Sequence, residues 1–184
     1  MILPIYLYGQ PVLRKEASEV TPDYLELQAL IDNMCATMAH SQGVGLAAPQ
    51  IGASLRMFVV DGTAVADDYP ECTGFRRCVI NPEIVEQSEE MVSGDEGCLS
   101  IPGIYEAVPR PTWIVLKYQD ENFVEHTEKL TGWAARMALH EYDHLDGKVF
   151  IDRINLIRKQ LIKSKLTQIL KGKVRTDYRS KAVK

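Results

Sequence analysis

The stretch that most constrains this chain is residues 133–145. It is apolar around most of its circumference (Trp133, Ala134, Ala135, Met137, Ala138, Leu139) yet carries His140-Glu141-Tyr142-Asp143-His144. An all-round apolar helix is enclosed by the rest of its domain. Histidines at i and i+4 lie one turn apart on the same face, so two imidazoles can converge on one cation. Glu141 stands between them, within reach of a water on that cation without being a ligand itself. This is the minimum equipment for metal-assisted hydrolysis of an amide. Taken alone, the pattern also fits a core helix that happens to hold two histidines.

The flanking segments read as short strands and two further helices. Residues 24–39 place Leu27, Leu30, Ile31, Met34 and Met38 at helical spacing, with Thr21-Pro22-Asp23 as the expected N-cap and first turn. Gly43-Val44-Gly45 breaks that helix. Residues 55–60 read as a buried strand, 61–78 as loop, and 78–80 and 83–86 as strand pieces split by Asn81-Pro82. Residues 112–118, rich in β-branched and aromatic side chains, form a strand that Asp120-Glu121-Asn122 turns into a partner over 123–130. Residues 154–170 read as an amphipathic helix, with Ile154, Ile157, Leu161, Ile162, Leu166, Ile169 and Leu170 on its apolar face, ended by Gly172. Strands first and helices flanking them point to an α+β fold.

At 184 residues the chain is most simply one domain that buries a core without disulfides. No apolar run approaches the roughly 20 residues needed to cross a bilayer. The opening MILPIYLYGQPVLRK lacks the pattern of a secretion signal. Cys35, Cys72, Cys78 and Cys98 are therefore read as reduced thiols in a cytoplasm. Cys72 and Cys78 lack CxxC spacing, which argues against a second metal site. The net charge of −4 is uneven: residues 155–184 carry +9 and the rest −13. That asymmetry suggests an appendage with its own electrostatic partner.

A two-histidine helix needs a third ligand. The metzincin extension HExxHxxGxxH fails at Phe150, and no Glu follows residue 147 to serve as in thermolysin-type proteases. Upstream, Cys98 in Glu96-Gly97-Cys98-Leu99-Ser100 offers a thiolate, and a His₂Cys set leaves a position open for water. A lone Cys is more often a small buried hydrophobe. The flanking Ser93-Gly94-Asp95 and Ile101-Pro102-Gly103 suggest a loop or bulge instead.

Three segments in this order, GVGLAAPQ (43–50), EGCLS (96–100) and HEYDH (140–144), resemble the bacterial-type peptide deformylases, as does the opening ILPIYLYGQPVLRK. The resemblance runs from the N-terminus to about residue 157. It implies antiparallel β-sheets packed around a central helix carrying HExxH, with a C-terminal helix. It implies an enzyme that removes the formyl group from the N-terminal formyl-methionine of nascent polypeptides, releasing formate. Cys98, His140 and His144 would bind one divalent ion, Fe²⁺ in the cell, with Zn²⁺, Ni²⁺ or Co²⁺ as substitutes. Glu141 would be the acid/base, and the Leu99 backbone N–H and Gln50 side-chain amide would stabilise the oxyanion. Val44, Gly45 and Gly97 would contact the peptide through backbone. Trp133, Met137 and His140 would line the methionine pocket with Val44, and Arg136 would stand at its rim. Glycines at 43 and 45 would let an extended peptide approach and pair as an added strand. Glu96 and Arg110 would pair and brace the Cys98 loop. Asp143 is a candidate to orient a ligating imidazole, with a solvated or capping role equally ordinary. Tyr105 stands where some relatives have an Arg that helps hold the peptide. His40 and His126 fall outside any motif and are expected to be exposed.

The expected organisation is a catalytic domain over 1–170 and a basic tail over 171–184. The resemblance implies that residues 155–184, the basic C-terminal helix and tail, dock on the ribosome; a core-packed helix with a solvated face and a frayed end fits the residues equally. No membrane and no sequence-specific DNA are expected as partners. A zinc endopeptidase and a catalytically inactive ribosome- or peptide-binding homologue are the competing functions, and the intact Cys98/His140/Glu141/His144 set speaks against the second.

Overall fold

A computed structural model describes residues 1–183. In chain order its main elements are β1 (Ile5–Tyr6), α1 (Leu27–His40), β2 (Gly45–Ala47), β3 (Met57–Asp61), β4 (Arg76–Gln87) and β5 (Met91–Cys98). There follow β6 (Ile101–Pro111), β7 (Trp113–Gln119), β8 (Glu125–Thr131), α2 (Gly132–Leu145), α3 (Leu156–Leu170) and β9 (Ser180–Lys181). The α+β expectation holds. Strands β2-β3-β4-β7-β8 make an antiparallel sheet in that order, β5 and β6 make a separate antiparallel hairpin, and β1 pairs in parallel with β9.

Helix α2 packs against β2, β3, β7 and β8 on one side and β6 on the other. Ala134, Ala135, Met137, Ala138 and Leu139 are all at most 5% exposed, so the apolar circumference is spent on contacts in both directions. The histidine pair is thereby held between the sheet and the hairpin.

Several boundaries differ from the expectation for identifiable reasons. Thr21-Pro22-Asp23 forms its own turn, closed by Tyr24 N–H donating to the Thr21 carbonyl, and α1 starts only after Glu26 in a left-handed conformation (φ 62°). Asn81-Pro82 does not split the strand; β4 runs through it with a register shift between Ile80 and Glu83. Asn81 takes φ 49° and its amide exchanges two hydrogen bonds (2.9 and 2.8 Å) with the backbone of Val20. The 112–130 hairpin forms as expected, its turn fastened by the Asp120 carboxylate accepting from the N–H groups of Asn122 and Val124.

Where the sequence reading placed a loop or bulge around Cys98, residues 91–98 and 101–111 form the β5–β6 hairpin, with the bulge at its end. Its inward positions on β6 include Glu106 (4% exposed) and Arg110 (1%), so the alternation of apolar and polar residues that marks a strand is broken by buried charge.

Helix α3 is capped by the Asn155 side chain accepting from Arg158 N–H (2.9 Å). Its apolar stripe is narrower than expected: within the helix Ile162 and Ile169 are buried, whereas Ile157 and Leu161 are 73% and 65% exposed. Beyond it, Gly172 (φ +64°) reverses the chain, and Ser180 and Lys181 align with Ile5 and Tyr6. Residues 173–183 thus do not trail off as a frayed end. None of the helices among the described residues is long and apolar enough to cross a membrane.

Candidate metal centre

Each presumptive ligand comes from a differently constrained backbone. His140 and His144 stand on α2, and Cys98 ends β5 at a bulge where the pairing shifts between Gly97 and Cys98. The bulge turns the thiol out of the ladder, as the glycine-flanked sequence suggested. Cys98 Sγ lies 3.3 Å from His144 Nε2, and one donor atom from each of the three residues falls within 4.8 Å of the others. Among the described residues this is the one such cluster of His, Cys, Asp and Glu.

The electrostatics suit a cation. Burial alone would push the Cys98 thiol up, but the facing His144 and His140 hold it down at about 5. Burial opposes charge on His140 too, yet Cys98 and Glu96 raise its pKa well above the usual imidazole range. A thiolate beside two imidazole nitrogens is the donor set that holds a borderline-soft divalent metal. Burial lifts the Glu141 carboxyl to about 7, with the two imidazoles pulling against it, and its Oε2 is buried with no partner. An orphaned buried oxygen beside three metal donors fits a site built for an ion and a hydrogen-bonding third molecule.

A buried ion network braces this group. Glu96 accepts from Arg110 Nε and Nη2 (2.8 Å each), from Arg136 Nη1 (2.8 Å), and its Oε2 contacts His140 Nδ1 at 2.8 Å. The carboxylate that orients a ligand histidine is therefore Glu96. Asp143, offered for that part by the sequence reading, is neither an orienter nor solvated. It bonds Arg110 (2.6 Å) and Arg153, and those two cations hold it below the usual carboxylate range against its burial. The expected Glu96–Arg110 pair is present. Arg136 is corrected in part: it lines the cleft, but its guanidinium turns inward to Glu96 and to the carbonyls of Val92 and Val108.

Gln50 is fixed at both ends. Its Oε1 accepts from Ala47 N–H (2.8 Å), which leaves Nε2 facing Cys98 Sγ (3.4 Å) and Ser100 Oγ (3.3 Å). Gly43 and Gly45 have a more local reason than substrate approach. A Cβ on Gly45 would meet Glu141 Oε1 at 2.3 Å, and one on Gly43 would meet the Leu99 side chain at 2.8 Å.

These groups open onto a cleft of about 740 Å³ whose walls include Val44, Gly97, Leu99, Trp133 and Met137. The Trp133 ring stacks on Tyr69 (4.6 Å between centroids), a partner the sequence reading missed. His40 is exposed but stands at the cleft edge; His126 is exposed and pairs with Asp120. Tyr105, 72% exposed, lays its ring over Gly97. The far lip comes from Arg175, Thr176, Asp177 and Tyr178, which no sequence signal had tied to the site.

Comparison with known proteins now decides the family. The polypeptide deformylase family model matches residues 2–160. The chain belongs to the polypeptide deformylase family. It is 46% identical to the peptide deformylase of Christiangramia forsetii over 97% of this chain and 95% of that one. It is 46% identical to that of Flavobacterium psychrophilum over 100% and 98%. Among solved structures, the peptide deformylase from Legionella pneumophila superposes with a TM-score of 0.82 at 35% identity, covering 96% of this chain and 99% of that chain. The Thermotoga maritima enzyme gives 0.76 at 42%, covering 84% and 99%. As a polypeptide deformylase the chain is a hydrolase of a linear amide, and its Cys98/His140/His144 group could hold the metal ion.

Proposed function

We propose that this deformylase removes the formyl group from the N-terminal formyl-methionine of nascent polypeptides, and that Cys98, His140 and His144 hold the ion that supports it. The observation that carries the reading is the placement of a buried, unpartnered Glu141 oxygen beside three donors gathered within 4.8 Å. A divalent ion held by Cys98, His140 and His144 would supply Lewis acidity toward the formyl carbonyl and would lower the pKa of water toward about 7. Glu141, raised to about 7 itself, accepts the proton of the attacking water as oxygen bonds to the formyl carbon. Charge then gathers on the former carbonyl oxygen. Gln50 Nε2, pinned by its own Oε1, and the Leu99 N–H are the donors assigned to it, each removal costing about 10²–10³ in rate. Glu141 returns the proton to the departing amine as the C–N bond breaks, and formate leaves.

Among the described residues strand β2 pairs with β3 alone, and its other edge supports an extended peptide lying along Val44 and Gly45 opposite Gly97. Methionine enters between Val44, Trp133 and Met137. The thiolate-imidazole set accommodates Fe²⁺, Zn²⁺, Ni²⁺ or Co²⁺ alike, and Fe²⁺ as the cellular ion is what the family resemblance implies. The cytoplasm is the assigned compartment. Docking on the ribosome through the exposed basic side of α3 accompanies this reading, and its affinity is expected to fall steeply with salt.

The test offers formyl-Met-Ala-Ser, the unformylated peptide and an internally cleavable peptide to anaerobically purified protein. Formate from the first alone, with one metal per chain, is the expected result. Internal cleavage would instead assign an endopeptidase.

A further inference from the structure

The C-terminal strap is tied to the turn that carries two of the groups assigned to catalysis. Tyr178 Oη donates to the Leu99 carbonyl at 2.6 Å, across 79 residues of sequence. Leu99 stands between Cys98 and Ser100, so this one bond seizes the turn that holds the thiol, the Leu99 N–H and the hydroxyl facing Gln50. The same turn is caught from the other side by Tyr8 N–H donating to the Ser100 carbonyl (2.8 Å).

The strap itself is built to hold Tyr178 in place. Thr176 Oγ1 donates to the Tyr178 carbonyl (2.8 Å) and meets Ser180 Oγ (2.9 Å). The N–H groups of Ile5 and Leu7 donate to the carbonyls of Arg179 and Lys181 (2.9 and 3.0 Å), and Gln10 Nε2 donates to Ala182 (2.7 Å). The Tyr178 ring packs with Leu99 against the cluster of Met34, Leu46 and Ile80, and burial raises its hydroxyl pKa, so it stays a donor. The family match ends at residue 160, so this bracing lies outside the pattern the family model describes.

We propose that Tyr178 is a positioning residue for the deformylation reaction, fixing through the Leu99 carbonyl the direction in which the neighbouring Leu99 N–H points. The Leu99 N–H and carbonyl sit on successive planar peptide units joined by φ and ψ of Leu99, so the bond acts on the N–H by holding the short turn closed between Cys98 and Ile101 in one conformation. An N–H off its line loses much of its effect on the developing oxyanion. The proposal rests on the oxyanion role given to Leu99, and it assigns the strap as part of the working cleft.

The test is Tyr178→Phe in the full-length, metal-loaded enzyme, which keeps the ring and removes the hydroxyl. Glu141→Gln is assayed first: if it keeps native turnover, the site reading fails, whatever Tyr178 does. With that reading secure, Tyr178→Phe should lower kcat about tenfold and leave KM for formyl-Met-Ala-Ser within about twofold. Metal content should be unchanged, and amide hydrogen exchange should quicken at residues 99–100 but not along the β5–β6 hairpin. A kcat within about twofold of native, or a fall in kcat accompanied by metal loss or faster exchange across the whole fold, would overturn it.

Discussion

At Gly45 a single added carbon would stand 2.3 Å from Glu141 Oε1, in space the carboxylate already occupies. Gly45→Ala is therefore expected to act as an indirect lesion of Glu141, lowering kcat at least about tenfold while metal content is kept. Glu141→Gln should lose about 10²–10⁴ in turnover with the metal retained, since it removes the proton acceptor and no ligand. Both are checked by formate release beside metal analysis, and loss of the ion in either variant would contradict the role given to Glu141. Arg110, 1% exposed, is bonded to both Glu96 and Asp143. Arg110→Met should cost about 3–5 kcal/mol in urea unfolding, because two carboxylates lose a shared cation inside the fold. The histidine pair and Cys98 were legible in the sequence because each motif is local. The Glu96 contact to His140 was not: it joins residues 44 apart, and nothing in either segment names the other.

Among the elements, β4 carries a comparable lesson. Asn81-Pro82 reads as punctuation, yet Asn81 trades a ladder position for two hydrogen bonds to Val20 and a left-handed backbone. Asn81→Ala should destabilise by about 1–3 kcal/mol, since it strands a backbone donor and acceptor and strains the bulge; thermal melting reads it out. The helix α2 and the β7–β8 hairpin were visible in the sequence because one is a long apolar run carrying HExxH and the other a β-branched, aromatic run followed by a turn signal. The β5–β6 hairpin escaped because buried charge occupies its inward positions: Glu96 and Arg110 brace the histidine helix, and Glu106 holds Arg158 of α3. Function thus erased the local signal of the element that supports it. In α3 the periodicity promised a broad apolar face, but contact with the body runs along the narrow line of Ile162, Ile169 and the Arg158–Glu106 pair (2.7 Å).

Over the whole molecule, the sheet and the hairpin pack on one helix and the C-terminal strap adds the far lip, so that all three supply part of a single cleft. Composition revealed the +9 charge of residues 155–184 but not that their far end returns to β1 and the cleft lip. The other thiols lie away from this centre. Burial pushes Cys72 up to about 11 and Cys78 up to about 12, so at pH 8 each holds only a trace of thiolate. Both should react slowly with a disulfide reagent at pH 8 in the folded protein and rapidly once it is denatured; fast reaction when folded would contradict their placement. The most direct test of the account is X-ray absorption at the metal edge of zinc-loaded protein. It predicts one ion per chain with one sulfur at about 2.3 Å and two imidazole nitrogens at about 2.0–2.1 Å. A spectrum without sulfur, or with a single imidazole, would contradict it.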